Sequence, residues 1–172
     1  KNPSYLSSIF DFNTDSVPLQ KYFVLKMKLT NVRPEHQSKV LIAEVSSNLK
    51  RLSAKGGQFE KGWVTGKVRS FGNYTLAIDT TKPKIVGLNL SNNKYKSVKK
   101  LRFRISDDLS GIESYKAFID NKWYHSYYTP RSNLLVIPFD QYNSISKGKH
   151  KLVVEVADER KNKNRYETEI EF

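Results

Sequence analysis

Leu101, Phe103 and Ile105 alternate with Arg102, Arg104 and Ser106, a period of two that places apolar side chains on one face of a strand and polar ones on the other. Asp107, Asp108, Ser110 and Gly111 then break the pattern. Their short polar side chains bond local backbone, and glycine permits positive φ. Tyr115, Ala117 and Ile119 resume the alternation, and Asp120-Asn121 falls where a two-residue hairpin turn belongs before Lys122-Trp123. The same reasoning predicts strands over 85–90, 100–106, 114–119, 122–128, 133–139, 151–157 and 166–172. In the last of these Tyr166, Thr168, Ile170 and Phe172 alternate with Glu167, Glu169 and Glu171. About seven short strands at regular spacing, with no segment of helical period, predict an immunoglobulin-like sandwich over residues 80–172.

The first part of the chain reads as β as well. Residues 1–19 mix Asn, Ser, Asp and Pro with short apolar pieces and predict an irregular arm or a single edge strand. Residues 21–30 form a strand by their β-branched and aromatic content, with Val24, flanked by apolar neighbours, expected in a well-buried place. A loop holding Pro34 leads to a strand over 39–45, a weaker one over 49–53, a turn at Gly56-Gly57, and strands over 63–68 and 74–78. These make roughly half a dozen strands, enough for a sandwich over residues 1–79. The boundary is set at Asp79-Thr-Thr-Lys-Pro83, because Pro83 holds Lys82 extended and the polar run interrupts the strand pattern. The expected fold is therefore all-β, with two β-sandwich domains in tandem, the second immunoglobulin-like.

Charge narrows the partners. The 172 residues hold 30 Lys and Arg against 17 Asp and Glu, a net charge of +13. Split after Asp79, the two parts carry 12 − 6 = +6 and 18 − 11 = +7. Such a chain is drawn to polyanions in general, including anionic envelope polymers. Local clusters lie at 94–100 and 160–165, but aromatic RNA-binding strand motifs are missing, so no specific nucleic acid is expected. The absence of cysteine excludes disulfides and thiolate metal sites. No apolar run approaches the ~18 residues of a membrane span. The start at Lys1 is read as that of a piece of a longer protein.

Candidate chemistry is sparse. His36, His125 and His150 stand far apart and outside any zinc-binding spacing, and no nucleophile elbow, Walker loop or dinucleotide fingerprint occurs, so no catalytic residue is assigned. Two sites are candidates. In an immunoglobulin-like topology Asp107 and Asp108, Asp158 and Glu159, and Asp79 at the linker gather toward one end, where their oxygens would suit Ca²⁺. The same residues would equally cap turns, with Lys161, Lys163 or Arg165 balancing charge. The second site is an aromatic platform for a glycan or peptide made from Trp123, Tyr124, Tyr127 and Tyr128 with His125 and Arg131, restricted to whichever rings face outward. A tryptophan in this part of a sandwich is more often buried.

Several stretches resemble a known family: Phe71-Gly-Asn-Tyr, Asp79-Thr-Thr-Lys-Pro83, Ser106-Asp-Asp-Leu-Ser-Gly-Ile112, Ile119-Asp-Asn-Lys-Trp123 and Gly148-Lys-His150. Over about residues 60–172 the chain is similar to the tandem β-sandwich region that follows the catalytic domain in LytM/lysostaphin-type zinc peptidases of Bacteroidota. Some of these pieces also recur in generic bacterial Ig-like repeats. The loop Asp158-Glu-Arg-Lys-Asn162 departs from the usual Asp-x-x-Gly-Asn, so no role is carried through it. The resemblance implies a secreted, periplasmic or cell-surface protein whose zinc and catalytic residues lie in a domain before Lys1. It implies a non-catalytic accessory module that positions the enzyme on peptidoglycan or a protein partner. The alternative is a stand-alone adhesion or complex-assembly subunit using its sandwich faces for protein contact; a hidden hydrolase is the third reading.

Overall fold

A computed structural model describes residues 5–13, 17–90, 99–139 and 145–172. The protein is all-β, every strand pairing among the described residues is antiparallel, and two compact units, Lys1–Thr80 and Thr81–Phe172, divide the chain. Among the described residues no helix is long and apolar enough to cross a membrane.

The first unit comprises β1 (Phe10–Phe12), β2 (Pro18–Lys28), β3 (Val40–Val45), β4 (Leu52–Ala54), β5 (Gln58–Glu60), β6 (Trp63–Ser70) and β7 (Gly72–Ile78). Its sheets run β1-β7-β3-β4 and β2-β6-β5. The core joins Leu25, Met27, Val64 and Val68 of the second sheet to Val40, Ile42, Tyr74 and Leu76 of the first. The arm thus supplies an edge strand, β1, on β7. Val24 overturns its expectation: it is 63 % exposed, whereas Leu25 and Met27 are buried. Lys26 and Lys28 must face water, and strand parity then sends Val24 outward with them.

The second unit comprises β8 (Lys84–Gly87), β9 (Lys100–Ser106), β10 (Ile112–Ile119), β11 (Lys122–Tyr124), β12 (Tyr127–Thr129), β13 (Leu134–Pro138), β14 (Lys149–Asp158) and β15 (Lys163–Glu171). Two sheets, β11-β10-β14-β15 and β12-β13-β9-β8, enclose Leu101, Phe103, Ile105, Ala117, Ile119, Leu135, Ile137, Leu152, Val154, Val156 and Ile170. That strand order is the immunoglobulin arrangement with one extra short strand, β11, beside β10. Phe103 packs edge-on to Tyr166 with ring centroids 5.6 Å apart, linking the sheets across the core. The strand expected over 122–128 is broken in two. Its first piece pairs with β10 and its second with β13, so the chain changes sheets at His125-Ser126. Tyr124 and Tyr128 pack against the same core from different sheets.

Candidate functional site

Asp107 and Asp158 take part in turns at the acidic end of the second unit. Asp107 ends the β9 alternation, and its Oδ2 accepts the N–H groups of Leu109 at 3.0 Å and Gly111 at 2.9 Å. Gly111 has φ +90°, which only glycine adopts cheaply. Asp158, fully buried at the end of β14, accepts the N–H of Arg160 at 2.8 Å and of Asn162 at 2.9 Å on Oδ1, and the Asn162 side-chain amide at 2.8 Å on Oδ2. Charge-assisted bonds of this kind hold a buried carboxylate and close its hairpin. The Glu159 N–H donates to Gly111 O at 3.1 Å, which ties the two turns together. One oxygen of Asp107 and one of Asp158 lie within 4.8 Å of each other.

The remaining acidic candidates behave differently. Asp108 is at the surface, paired with Lys84 at 2.8 Å, and Glu159 is exposed. Asp79 follows β7, is buried, and donates its N–H to Lys39 O at 3.1 Å within the first unit. Two of the expected balancing cations pair elsewhere: Lys161 with Glu113 and Arg165 with Glu167.

The aromatic candidates separate by strand parity. Trp123 lies opposite Phe118, on the outer face of β11-β10-β14-β15, and is 62 % exposed, against the expectation that a tryptophan here is buried. His125 stands edge-on to it at 6.2 Å. Tyr124 and Tyr128 pack against the core, Tyr128 tilted on Tyr115 at 5.8 Å and donating to Asn133 Oδ1 at 3.1 Å. Burial raises the Tyr128 phenol above its ordinary range. Tyr127 is 45 % exposed but lies opposite Val136, on the outer face of the other sheet, near the exposed Arg131 of the 3₁₀ turn Pro130–Ser132. These six residues therefore form no single platform: Trp123 belongs to one face, and Tyr127 to the other.

What accompanies Trp123 was missed in the sequence. Register aligns Trp123, Phe118 and Val153 across three strands, and the next outward row is Lys116, Glu155 and Arg165. A surface depression of about 610 Å³ opens along that second row and includes Lys163. Phe118 was the available signal, an apolar residue at an outward position of an otherwise regular alternation. A ring beside a depression lined by cations and one carboxylate can stack on an apolar ligand face and hydrogen-bond its polar rim. Of the basic clusters, 94–98 lies outside the described residues.

The fold defines a class: a tandem all-β sandwich protein with exposed side chains on the outer faces of its second unit. Residues 1–79 match the family model of the Zu5-like domain, a match confined to the first unit and to less than half of the chain. No curated protein matches the chain.

Proposed function

We propose that the chain is a non-catalytic binding module that holds an envelope ligand, peptidoglycan in the first instance, on the outer face of β11-β10-β14-β15. The observation that carries this reading is Trp123, exposed in a short strand beside Phe118 and next to the polar depression. The ring and the outward Phe118 beside it offer an aromatic surface that a ligand can stack on, next to the polar groups of the depression. The depression's cations suit the carboxylates of stem peptides, and the ring suits a sugar face. Through its resemblance over about residues 60–172, the module would position an exported zinc endopeptidase on its substrate, the zinc residing in that enzyme's own domain. The match to the Zu5-like domain covers residues 1–79 and bears on the first unit only.

Co-sedimentation with peptidoglycan sacculi across a salt series tests the reading. Binding should survive high salt, because stacking is not screened, and Trp123→Ala should weaken it about tenfold, as loss of an exposed aromatic anchor does. Binding that disappears as salt rises, or that Trp123→Ala leaves intact, overturns it. The alternative of a complex-assembly subunit gains support from the opposite face, described next.

A further inference from the structure

The two outer faces of the second unit differ in charge. Strands β10, β14 and β15 carry Glu113, Glu155, Glu167, Glu169 and Glu171 at exposed or half-buried positions, beside their lysines and arginines. Their surface charges pair internally: Lys149 with Glu169 at 2.9 Å, Lys151 with Glu167 at 2.5 Å, Arg165 with Glu167 at 2.9 Å. The four strands β8, β9, β12 and β13 carry Lys84, Lys100, Arg102 and Arg104 and no carboxylate at all. Lys84 reaches Asp108 in a neighbouring turn, but none of the ion pairs among the described residues involves Lys100, Arg102 or Arg104.

Edge protection does not explain these arginines. Lysines on edge strands discourage sheet-to-sheet association, yet β9 lies inside its sheet, between β13 and β8. Arg102 and Arg104 point outward from its middle, where two like charges on one strand face repel. Their cross-strand neighbours are apolar. Arg104 sits between Val86 and Leu134, while Arg102 faces Val136, with Tyr127 beyond it. Val86 is 53 % exposed, and Leu88, just past β8, is also exposed. Arginine and tyrosine set among exposed aliphatics is the composition of a protein-binding patch. A nucleic-acid platform would instead present several stacked rings, and Tyr127 is the one aromatic on the strands of this face that is turned outward among the described residues.

We infer that the outer face of β12-β13-β9-β8 docks an acidic segment of a partner protein, with carboxylates on the Arg102 and Arg104 guanidinium groups and apolar side chains over Val86, Leu134 and Tyr127. The planar fork of each guanidinium takes a carboxylate in two parallel hydrogen bonds, and the aliphatic rows beside it exclude water from that pairing. The site is independent of the Trp123 face.

Fluorescence anisotropy of the full chain with a labelled synthetic peptide of Glu and Leu reads the interaction directly. The peptide should bind, its Glu-Ser counterpart should bind more weakly, and R102Q/R104Q should lose affinity about tenfold or more with an unchanged Tm. R102K/R104K should recover part of the loss, because lysine keeps the charge but not the fork. K149Q/K151Q on the opposite face and Trp123→Ala should leave the affinity unchanged. Trp123→Ala is the variant that probes the sacculus reading, so the two proposals fail separately. Equal losses from R102Q/R104Q and K149Q/K151Q, no binding of the peptide, or tighter capture of oligo-dT or phosphatidylglycerol vesicles by the arginine face would each overturn the inference.

Discussion

Removing the Asp158 carboxylate leaves three N–H donors in the β14–β15 turn without their acceptor: Arg160 N, Asn162 N and the Asn162 amide. Asp158→Ala should therefore destabilise the protein by about 3 kcal/mol, the scale of a few buried hydrogen bonds to a charged group, measurable by urea unfolding. Asp158→Asn should fall between, since its amide nitrogen would face the Asn162 amide donor to donor. Turn capping of this kind makes a further claim: added Ca²⁺ should leave the Tm of the native chain unchanged, and a rise would show that an ion joins the carboxylates. At this scale the sequence was legible in part. Asp107 and Asp158 announced themselves as turn residues next to strands. Between the adjacent and chemically identical Asp107 and Asp108, the 101/103/105 parity already favours Asp107 as the inward one, and it is half-buried where Asp108 is exposed; that Asp158 would be fully buried was not visible.

The hairpin between β10 and β11 shows how much a local signal can specify. Asp120 and Asn121 have φ +50° and +64°, and Ile119 faces Lys122, so the two residues form the tight turn whose twist matches that of the flanking strands. Asp120 adds a tertiary tie. Its Oδ1 accepts the Lys151 N–H at 2.9 Å and its Oδ2 pairs with His150 Nδ1 at 2.6 Å. The His150 hydrogen bond first, and the Lys151 N–H second, hold the Asp120 carboxyl below the usual aspartate range. Asn121→Val should cost about 1–2 kcal/mol in unfolding experiments, since a β-branched side chain is strained in the left-handed region. Asn121→Gly should be neutral or better, and destabilisation by glycine would mean that the turn is held by something other than its backbone. This turn was readable because its chemistry lies within two residues. The break at His125-Ser126 was not, because the aromatic residues on both sides of it, Trp123-Tyr124 and Tyr127-Tyr128, all favour strand. Their division between sheets depends on distant partners, Phe118 for Trp123 and Val136 for Tyr127.

Across the whole molecule, net charge and its placement are different quantities. The alternating pattern foretold an all-β chain of sandwiches, but the count of +7 for residues 80–172 could not show that six of the eleven acids lie on one sheet's strands and none on the other's. That asymmetry arises only when the pairing of strands is known. It has a consequence that needs no ligand. R102Q/R104Q and K149Q/K151Q each lower the formal net charge by two, 13 − 2 = +11. A charged surface, however, adsorbs a protein by its most strongly charged patch rather than by its total. Lys149 and Lys151 are already offset by Glu169 and Glu167, whereas Arg102 and Arg104 stand on a face without carboxylates. On a cation exchanger R102Q/R104Q should therefore elute at distinctly lower salt than K149Q/K151Q, despite identical net charge. Coincident elution would mean that the field around the chain is effectively uniform, and the arginine face would then have no electrostatic claim on an acidic partner beyond that of the rest of the surface.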